Sequence, residues 1–489
     1  MKLTDVLPMG HLNYSETLDQ SQTVKGITDN SNEVKPGSIF IAIKGYKEDG
    51  SIYIQQAISN GAILIIGENE LTNLTVPYLK VKNARKTIGQ VAKKFYKDPS
   101  KDKIMIGVTG TNGKTTISFF IKHLLEHQGY SVSSIGTIYN EINGEKIKTI
   151  NTTPNAITIN RLLTTSTDQV VVMEVSSQGL EQDRLEGIQF DYALFNNLQH
   201  DHLDYHHTME EYFECKALLF QKLKPAGTAI INNDDSWGKK LIERLTAEEK
   251  KVVTVGEEPN NEVQILTKEL NHVLVNYKNN EYKLRTPLPG VHNLHNLTMS
   301  IGVAHELGVP YEQVTPYMSD FSGITGRFEI FRLANEVTVV VDYAHTPDAL
   351  ETSINTAISN GAKRIITVFG FAGNRDKSKR KAMLENVCRL STYAFLTVTE
   401  LFGLTIDSLY ADYVAIRKDC QVEETTSIIM DRTLAIQQAV DEAQPGDWVL
   451  LLGKGHEQYK ENYALHTKSD QETVHYLQEK GNQLSTLEH

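Results

Sequence analysis

The chain has 489 residues, 40% hydrophobic and 22% charged, which suits a soluble globular protein and is too long for one ordinary core; about three domains is the expectation. A net charge of −12 argues against nonspecific nucleic-acid binding, which needs a basic surface, although a local Lys/Arg cluster can still hold an anionic substrate. Cys215, Cys388 and Cys420 are scattered without CxxC spacing, as free thiols in a reducing compartment would be. Met1-Lys-Leu-Thr-Asp-Val lacks the apolar core of a signal peptide, and no apolar run approaches the roughly 20 residues of a membrane span. A cytoplasmic protein without membrane contact is expected.

In the first segment, Ser38-Ile-Phe-Ile-Ala-Ile43 and Ala62-Ile-Leu-Ile-Ile66 read as strands, with helical character over 52–60 between them. The polar stretch Lys97-Asp-Pro-Ser-Lys-Asp102 reads as a linker. The spacing predicts a small α/β domain over 1–100.

Residues 104–116 then read Ile-Met-Ile-Gly-Val-Thr-Gly-Thr-Asn-Gly-Lys-Thr-Thr. An apolar run ends in a glycine-punctuated turn, and an apolar-periodic segment follows from Ile117: strand, phosphate loop and helix in order. Gly110, Thr111, Asn112 and Gly113 would turn backbone N–H groups toward phosphate oxygens, at a helix N-terminus that already favours negative charge. Lys114 would reach the outer phosphates and the Thr115 hydroxyl would ligate Mg²⁺, with Thr116 next in the loop. The spacing is a compressed form of G-x-x-x-x-G-K-[ST], and Gly107 supplies a glycine upstream. A nucleoside triphosphate is the expected ligand.

Val170-Val-Val-Met-Glu174 is an apolar run ending in an acid, which such a sheet would aim at the nucleotide and its Mg²⁺. Tyr192-Ala-Leu-Phe195 and Thr228-Ala-Ile-Ile231 continue the series. Short apolar runs separated by helices predict a largely parallel sheet covered on both faces, in a domain over 101–328. Within it, Asn197-Leu-Gln-His200-Asp201-His202-Leu-Asp204-Tyr-His206-His207 is dense in potential ligands. These are nearly contiguous and no cysteine joins them, unlike structural zinc sites; one histidine serving Mg²⁺ fits better. Lys216 falls on a helix expected over 210–222, beside Tyr212, Phe213, Leu218 and Leu219. On pattern alone it reads as a solvated lysine.

A second alternating series begins at Val337-Thr-Val-Val-Val341. It continues through 364–369, 394–398 and 448–452, with helices between, one of them over 431–443. This predicts a doubly wound sheet without a phosphate loop, over 329–489. Three of its strand ends carry chemistry: Asp342-Tyr-Ala-His345-Thr-Pro347-Asp348, the 370–380 stretch with Arg375, and Gly453-Lys-Gly-His-Glu457. Strand ends in such a sheet line a ligand crevice, and one shared crevice is expected.

Taken in order, these motifs resemble the Mur ligases, and within them the muramyl-tripeptide synthetase (MurE) branch. The match includes the phosphate loop, Asn151-Thr-Thr-Pro154, Met173-Glu-Val-Ser-Ser177, Asp201-His-Leu-Asp204 and Lys216-Ala-Leu-Leu-Phe220. It continues through His292-Asn293 with Asn296, Gly326-Arg327-Phe-Glu329, the 342–348 segment and Gly453-Lys-Gly-His-Glu457. Lys35-Pro-Gly37 and Ile43-Lys-Gly45 separate it from the folylpolyglutamate synthetases, which lack the first domain. The resemblance implies an α/β protein of three domains: a small N-terminal UDP-substrate domain, a central P-loop ATPase-type parallel sheet, and a C-terminal Rossmann-like domain for the amino acid.

It also implies a reaction, ATP-dependent amide ligation. The γ-phosphate moves to a substrate carboxylate, and an amine then displaces phosphate from the acyl phosphate. By position, Lys114, Glu174, His202 and Lys216 would be catalytic, with Thr115, Glu174, His202 and an N-carbamylated Lys216 serving Mg²⁺. Asn293 and Asn296 would face adenine, while Arg327 and Asp342 would hold the nucleotide from the domain junction. Ser31, Thr152, Thr153, Ser177, Gln182 and Arg184 would contact the uridine-linked peptide acceptor, UDP-MurNAc-L-Ala-D-Glu. Arg375, Gly453 and Glu457 would line the amino-acid site. The partners implied are small molecules, and the protein a monomer.

Departures from the family pattern bear on substrate identity. Asn30-Ser31-Asn32 stands where Asp-Ser-Arg is common, and Gln178 replaces a histidine after Ser-Ser. The Asp-Asn-Pro-Arg motif that grips the amino acid is absent; the chain reads Thr399-Glu400-Leu401-Phe402-Gly403. Losing the arginine and asparagine removes charge-assisted bonds to carboxylate, on the order of 1.5–3 kcal/mol each. Lysine, or a less usual amine, is expected over a diaminopimelate-type substrate. Two alternatives stay open: a MurE-like ligase of a specialised pathway with another carboxylate and amine, and a nucleotide-binding regulatory protein on a dead ligase fold.

Overall fold

The computed structural model describes residues 1–7, 21–45 and 48–487, with side chains through residue 480. Sheets of four, eleven and six strands follow one another along the chain. The first is parallel: Gly26–Thr28, Ser38–Ile41, Ala62–Gly67 and Tyr78–Lys80. The helical stretch expected over 52–60 is a 3-10 turn, Gly50–Tyr53, running into the helix Ile54–Ser59.

The second sheet builds outward from Ile104–Thr109, which lies between Phe190–Phe195 and Val170–Glu174, parallel to both. Every residue of Val170–Glu174 is buried, as a strand covered on both faces requires. Leu223–Asn232, Lys251–Gly256 and Val263–Glu269 extend one side and Val132–Ile135 the other, all in parallel. The edges depart from the parallel expectation. His272–Tyr277 and Asn280–Arg285 add antiparallel strands at one edge, Asn140–Ile142 and Glu145–Ile147 at the other. An edge strand buries one face, so its signal is alternation, as in Val273, Val275 and Tyr277, rather than an apolar run.

Lys114–His127 lies on one face of this sheet; Ile117, Phe120, Ile121, Leu124 and Leu125 recur at helical spacing and are fully buried. Val291–Ala304 packs in the same core. The helix predicted over 210–222 ends early. Met209–Ala217 is helical, Phe220–Lys222 is a 3-10 turn, and Leu223–Asn232 begins at once. The chain must turn into the sheet here, and the tighter 3-10 winding does so in three residues.

The third sheet runs, in spatial order, Glu329–Arg332, Thr338–Asp342, Trp448–Leu452, Ile365–Phe369, Tyr393–Leu396 and Thr426–Ile428. Its first strand pairs antiparallel and the others in parallel. Trp448–Leu452 lies between Thr338–Asp342 and Ile365–Phe369, so the three chemically loaded strand ends are neighbours. Thr346 caps the helix Pro347–Ser359, with Pro347 in its first turn, where a missing N–H costs nothing. Among the described residues no helix is long and apolar enough to cross a membrane.

Candidate active site

The phosphate loop is held by asparagines. Asn112 N donates to Asn197 Oδ1 at 2.9 Å, and Asn196 Nδ2 donates to the Asn112 carbonyl at 3.0 Å and to Asn296 Oδ1 at 3.1 Å. Asn296 Nδ2 donates in turn to Asn293 Oδ1 at 3.3 Å, and Asn293 Nδ2 to the Pro289 carbonyl at 2.8 Å. Gly113 has φ 88°, and a Cβ there would lie 2.3 Å from Asn196 Nδ2, so the close approach needs glycine. Gly113 is also the N-cap of Lys114–His127 and offers no side-chain acceptor, which leaves the first N–H groups of that helix for an anion. The Thr111 hydroxyl accepts from Gln199 N at 3.0 Å and lies 3.3 Å from Tyr212 Oη, while Thr116 is buried behind the loop.

Glu174 ends its strand beside this loop, 2% exposed. Its Oε2 accepts from Thr115 Oγ1 at 2.8 Å and Thr137 Oγ1 at 2.7 Å, and its Oε1 from Thr137 N at 2.9 Å. Arg327 Nη2 donates to the same Thr115 hydroxyl at 3.0 Å. Two adjacent Mg²⁺ ligands at 2.0–2.1 Å stand about 2.9 Å apart in an octahedral shell. The Thr115–Glu174 pair, an oxygen-only donor set at 2.8 Å, fits that ion.

Two lysines converge on one carbonyl. Lys114 Nζ donates to the Gly110 oxygen at 2.8 Å and the Thr111 oxygen at 3.0 Å; Lys216 Nζ donates to the same Gly110 oxygen at 2.9 Å, 4.6 Å from the Tyr212 ring centroid. Lys216 is 1% exposed, so the solvated reading of its helical position is corrected: the helix Met209–Ala217 presses it against the loop. Burial, then the charge of Lys114, holds its ammonium well below the ordinary lysine range; burial lowers Lys114 as well. Lys216 is therefore the natural one of the two to be neutral. His202 Nε2 lies 3.4 Å from Asp201 Oδ2; burial pushes the imidazole down to about 3 despite that carboxylate, leaving the neutral form that binds metals. His206 is committed elsewhere, with Nε2 2.8 Å from Ser177 Oγ and its ring stacked on Tyr212.

The third sheet's strand ends roof the loop. Buried Asp201 accepts from Lys379 Nζ at 2.7 Å and lies 3.5 Å from His345 Nε2. Burial raises its carboxyl, but His202, His345 and Lys379 outweigh burial and hold it well below the usual carboxylate range. At Gly326, φ 69°, a Cβ would lie 2.1 Å from His456 N, so the 453–457 loop packs on bare backbone. Arg327 stacks 4.6 Å from the Tyr343 ring centroid, and Tyr343 Oη donates to Glu457 at 3.3 Å. Asp342 accepts the Ser353 hydroxyl on its carboxylate and the Gly453 N–H at 3.0 Å on its carbonyl. Arg327, Asp342, Gly453 and Glu457 thus meet. A Cβ on Gly453 would touch Thr399 at 3.1 Å. Arg375 stands further out, 4.6 Å from the Phe402 ring centroid and 3.6 Å from Asp204, while Lys460 lies over the same ring and pairs with Glu400.

Five of the six expected acceptor residues gather beside Glu174. Thr152 Oγ1 is 3.1 Å from Thr137 Oγ1, and Thr153 Oγ1 donates to the Glu174 carbonyl at 2.9 Å. Arg184 donates to the Thr153 carbonyl at 2.7 Å and to Gln182 Oε1 at 2.7 Å; Ser177 follows on the same strand end. Ser31 does not join them: it is buried and donates to Gln56 Oε1 at 2.7 Å. Its segment reaches the group through Asp29, which accepts from Asn155 Nδ2 at 3.2 Å. The sequence reading missed Thr137 and Asn196, and it gave no role to Asn197 or Lys379, although both lie in stretches it singled out, 197–207 and 370–380. The weak signal for Asn196 and Asn197 was their place just after a buried strand.

A phosphate loop roofed by the strand ends of a second α/β domain defines a nucleotide-driven enzyme that works between two domains. Three family models match in order: "Mur ligase family, catalytic domain" over residues 23–96, "Mur ligase middle domain" over 108–304, and "Mur ligase, glutamate ligase domain" over 326–455. A UDP-N-acetylmuramoyl-L-alanyl-D-glutamate–2,6-diaminopimelate ligase from Fusobacterium nucleatum is 36% identical over 440 residues, 89% of either chain. The protein of the same name from Clostridium botulinum is 35% identical over 467 residues, 92% of this chain and 94% of its own. A solved structure bearing that enzyme name superposes with TM-score 0.68 at 28% identity, covering 99% of both chains. The MurF ligase of Thermotoga maritima in complex with ADP shares the fold, with TM-score 0.63 at 19% identity, covering 88% of this chain and 94% of its own. This chain belongs to the Mur ligase family, and it is an ATP-dependent ligase.

Proposed function

We propose that this ligase joins an amino acid to UDP-MurNAc-L-Ala-D-Glu. The γ-phosphate of ATP passes to the terminal carboxylate of the peptide; the amine then forms the C–N bond, loses a proton, and phosphate leaves with the C–O electrons. The convergence on the Gly110 carbonyl, with Lys114 at 2.8 Å and Lys216 at 2.9 Å, carries the reading. It sets the Lys114 ammonium, beside the neutral Lys216 amine, near the Thr115–Glu174 pair at the mouth of an uncapped helix, where Lys114 and the free N–H groups meet phosphoryl charge.

Lys114 holds the outer phosphates, Gly110 to Thr116 cradle them, and Asn293 and Asn296 face the adenine. Arg327 and Asp342 steady the nucleotide from the roof. Mg²⁺ supplies countercharge to the phosphates, and Thr115 and Glu174 would hold it. Neutral Lys216 takes up CO₂: the N–C bond forms, a proton leaves, and the resulting carbamate is an anion beside Lys114. With His202 it would serve a second Mg²⁺. Thr152, Thr153, Ser177, Gln182 and Arg184 bind the acceptor, and the first domain reaches it through the Asp29 segment rather than through the Ser31 hydroxyl, which is held by Gln56; Arg375, Gly453 and Glu457 bind the amino acid. The domains run 1–100, 101–328 and 329–489. The reading takes the protein as a monomer, and the nucleotide substrates favour the cytoplasm.

The relatives are named for 2,6-diaminopimelate. In this chain Phe402 stands in the segment expected to grip the amino acid, and its ring is covered by Arg375 and Lys460. Phe402 itself has no donor for a second carboxylate where the family pattern has an arginine and an asparagine, which favours lysine or a similar amine. Half-exposed Arg375 and the relatives' names favour diaminopimelate as the second reading. Phosphate release with ATP, Mg²⁺, UDP-MurNAc-L-Ala-D-Glu and a panel of amino acids decides. Turnover greatest with lysine or another monocarboxylate supports the first reading, and diaminopimelate alone the second. Silence with every amino acid, with ATP still bound, overturns both and points to another carboxylate and amine.

A further inference from the structure

A set of potential metal ligands lies away from the active site. The helix Lys114–His127 starts at the phosphate loop, and near its far end His123 and His127 stand one turn apart on the same face. Asp320, just past the helix Tyr311–Met318, faces both rings: Oδ1 is 3.1 Å from His123 Nε2 and Oδ2 is 3.3 Å from His127 Nε2. The Tyr317 carbonyl oxygen lies 2.7 Å from His123 Nε2 and can only accept, so without a metal that nitrogen carries its ring's N–H and gives it up when an ion binds. Among the described residues this is the one group of three or more His, Cys, Asp or Glu side chains whose ligand atoms all lie within 4.8 Å of one another.

The hydrogen bonding says what is missing. His127 Nδ1 lies 3.0 Å from the His123 carbonyl, which can only accept, so the ring's N–H is on Nδ1. In the neutral ring Nε2 then carries a lone pair, and it points at a carboxylate oxygen 3.3 Å away. Two acceptors face each other, and a cation between them resolves the contact. A backbone carbonyl fixing the far ring nitrogen is the usual support of a metal-bound histidine. Packing orients the rings as well: His123 sits edge-on to Phe321 at 5.1 Å, and His127 lies 5.1 Å from the Tyr317 ring. Tetrahedral ligands at 2.0–2.1 Å are about 3.3 Å apart, and each imidazole has one Asp320 oxygen near that spacing, Oδ1 at 3.1 Å for His123 and Oδ2 at 3.3 Å for His127.

We propose that His123, His127 and Asp320 bind a divalent transition-metal ion of the zinc type, with the Tyr317 carbonyl or water completing the shell. Two imidazoles and one carboxylate suit Zn²⁺ or Ni²⁺, whereas Mg²⁺ takes oxygens. The bound ion ties the end of the phosphate-loop helix to the segment leading from Met318 to Gly326 and Arg327.

The test is calorimetric titration of the full chain with Zn²⁺ in a large excess of Mg²⁺, with melting temperature followed in parallel. The comparison is with His127→Gln and Asp320→Asn, at exposed positions outside the active site. The wild type is expected to bind one Zn²⁺ equivalent and melt higher. Each variant should lose at least about tenfold in affinity, and the melting shift with it, while its zinc-free phosphate release stays unchanged. Equal zinc binding by wild type and both variants places the ion elsewhere and overturns the proposal. So does a wild type that binds no zinc over Mg²⁺, which leaves a proton as the cation between His127 and Asp320.

Discussion

Removing the charge of Asp201 is expected to unlatch the third domain from the phosphate loop. Its carboxylate, 6% exposed, joins Lys379 from the roof, itself 11% exposed, at 2.7 Å. Taking away one partner of a buried ion pair costs about 3–5 kcal/mol. In Asp201→Asn the stranded Lys379 ammonium regains water if the domain lifts, so the cost falls on closure more than on folding, and the lower figure applies. At 1.4 kcal/mol per factor of ten, about 3 kcal/mol lowers the closed population on the order of a hundredfold. kcat/KM for phosphate release should fall by a similar factor while the melting temperature changes little. Asp201 also neighbours His202, so Lys379→Met separates latch from site: Asp201 keeps its histidines, and a smaller fall, roughly tenfold, is expected. Small-angle scattering with a non-hydrolysable ATP analogue reads the closure directly. Wild-type kcat/KM and a wild-type scattering profile in both variants would refute the latch.

Lys216→Ala should abolish most phosphate release while leaving ATP binding, and short-chain carboxylates added to the assay should restore part of it. Activity untouched by the substitution removes Lys216 from the site. Desolvation pushes half-buried His202 down to about 3, and buried His206 and half-buried His295 and His456 down to about 4, against an ordinary 6.5. The unfolded chain therefore binds more protons than the folded one between about pH 4 and 6.5, and stability rises with pH across that window. This contribution is complete above pH 6.5 and is lost as pH falls; melting temperatures should drop steeply below 6.5, less so in His295→Gln. A flat profile would contradict the neutral burial of these rings.

The phosphate loop was legible because contiguous residues build it: strand, glycines, lysine and hydroxyl all lie within 104–116, and local order suffices to describe them. Val170–Glu174 and Trp448–Leu452 were legible to the residue, since strands buried on both faces are uninterrupted apolar runs. The antiparallel edges and the short helix before Leu223 were not, because alternation and a tight turn leave fainter marks. Ser31 matched a motif position, yet its hydroxyl is turned to Gln56.

The sequence by itself determined the order of the three sheets, the position of the phosphate loop and the acid facing it, because each depends on neighbours along the chain. The tertiary structure alone decided that Lys216 meets Gly110 across 106 positions, and that Lys379 meets Asp201 across 178. It alone set Thr137 on Glu174 and His123 and His127 against Asp320. Burial and charge state depend on what packs against a side chain. For these residues the deciding neighbour comes from a distant part of the chain.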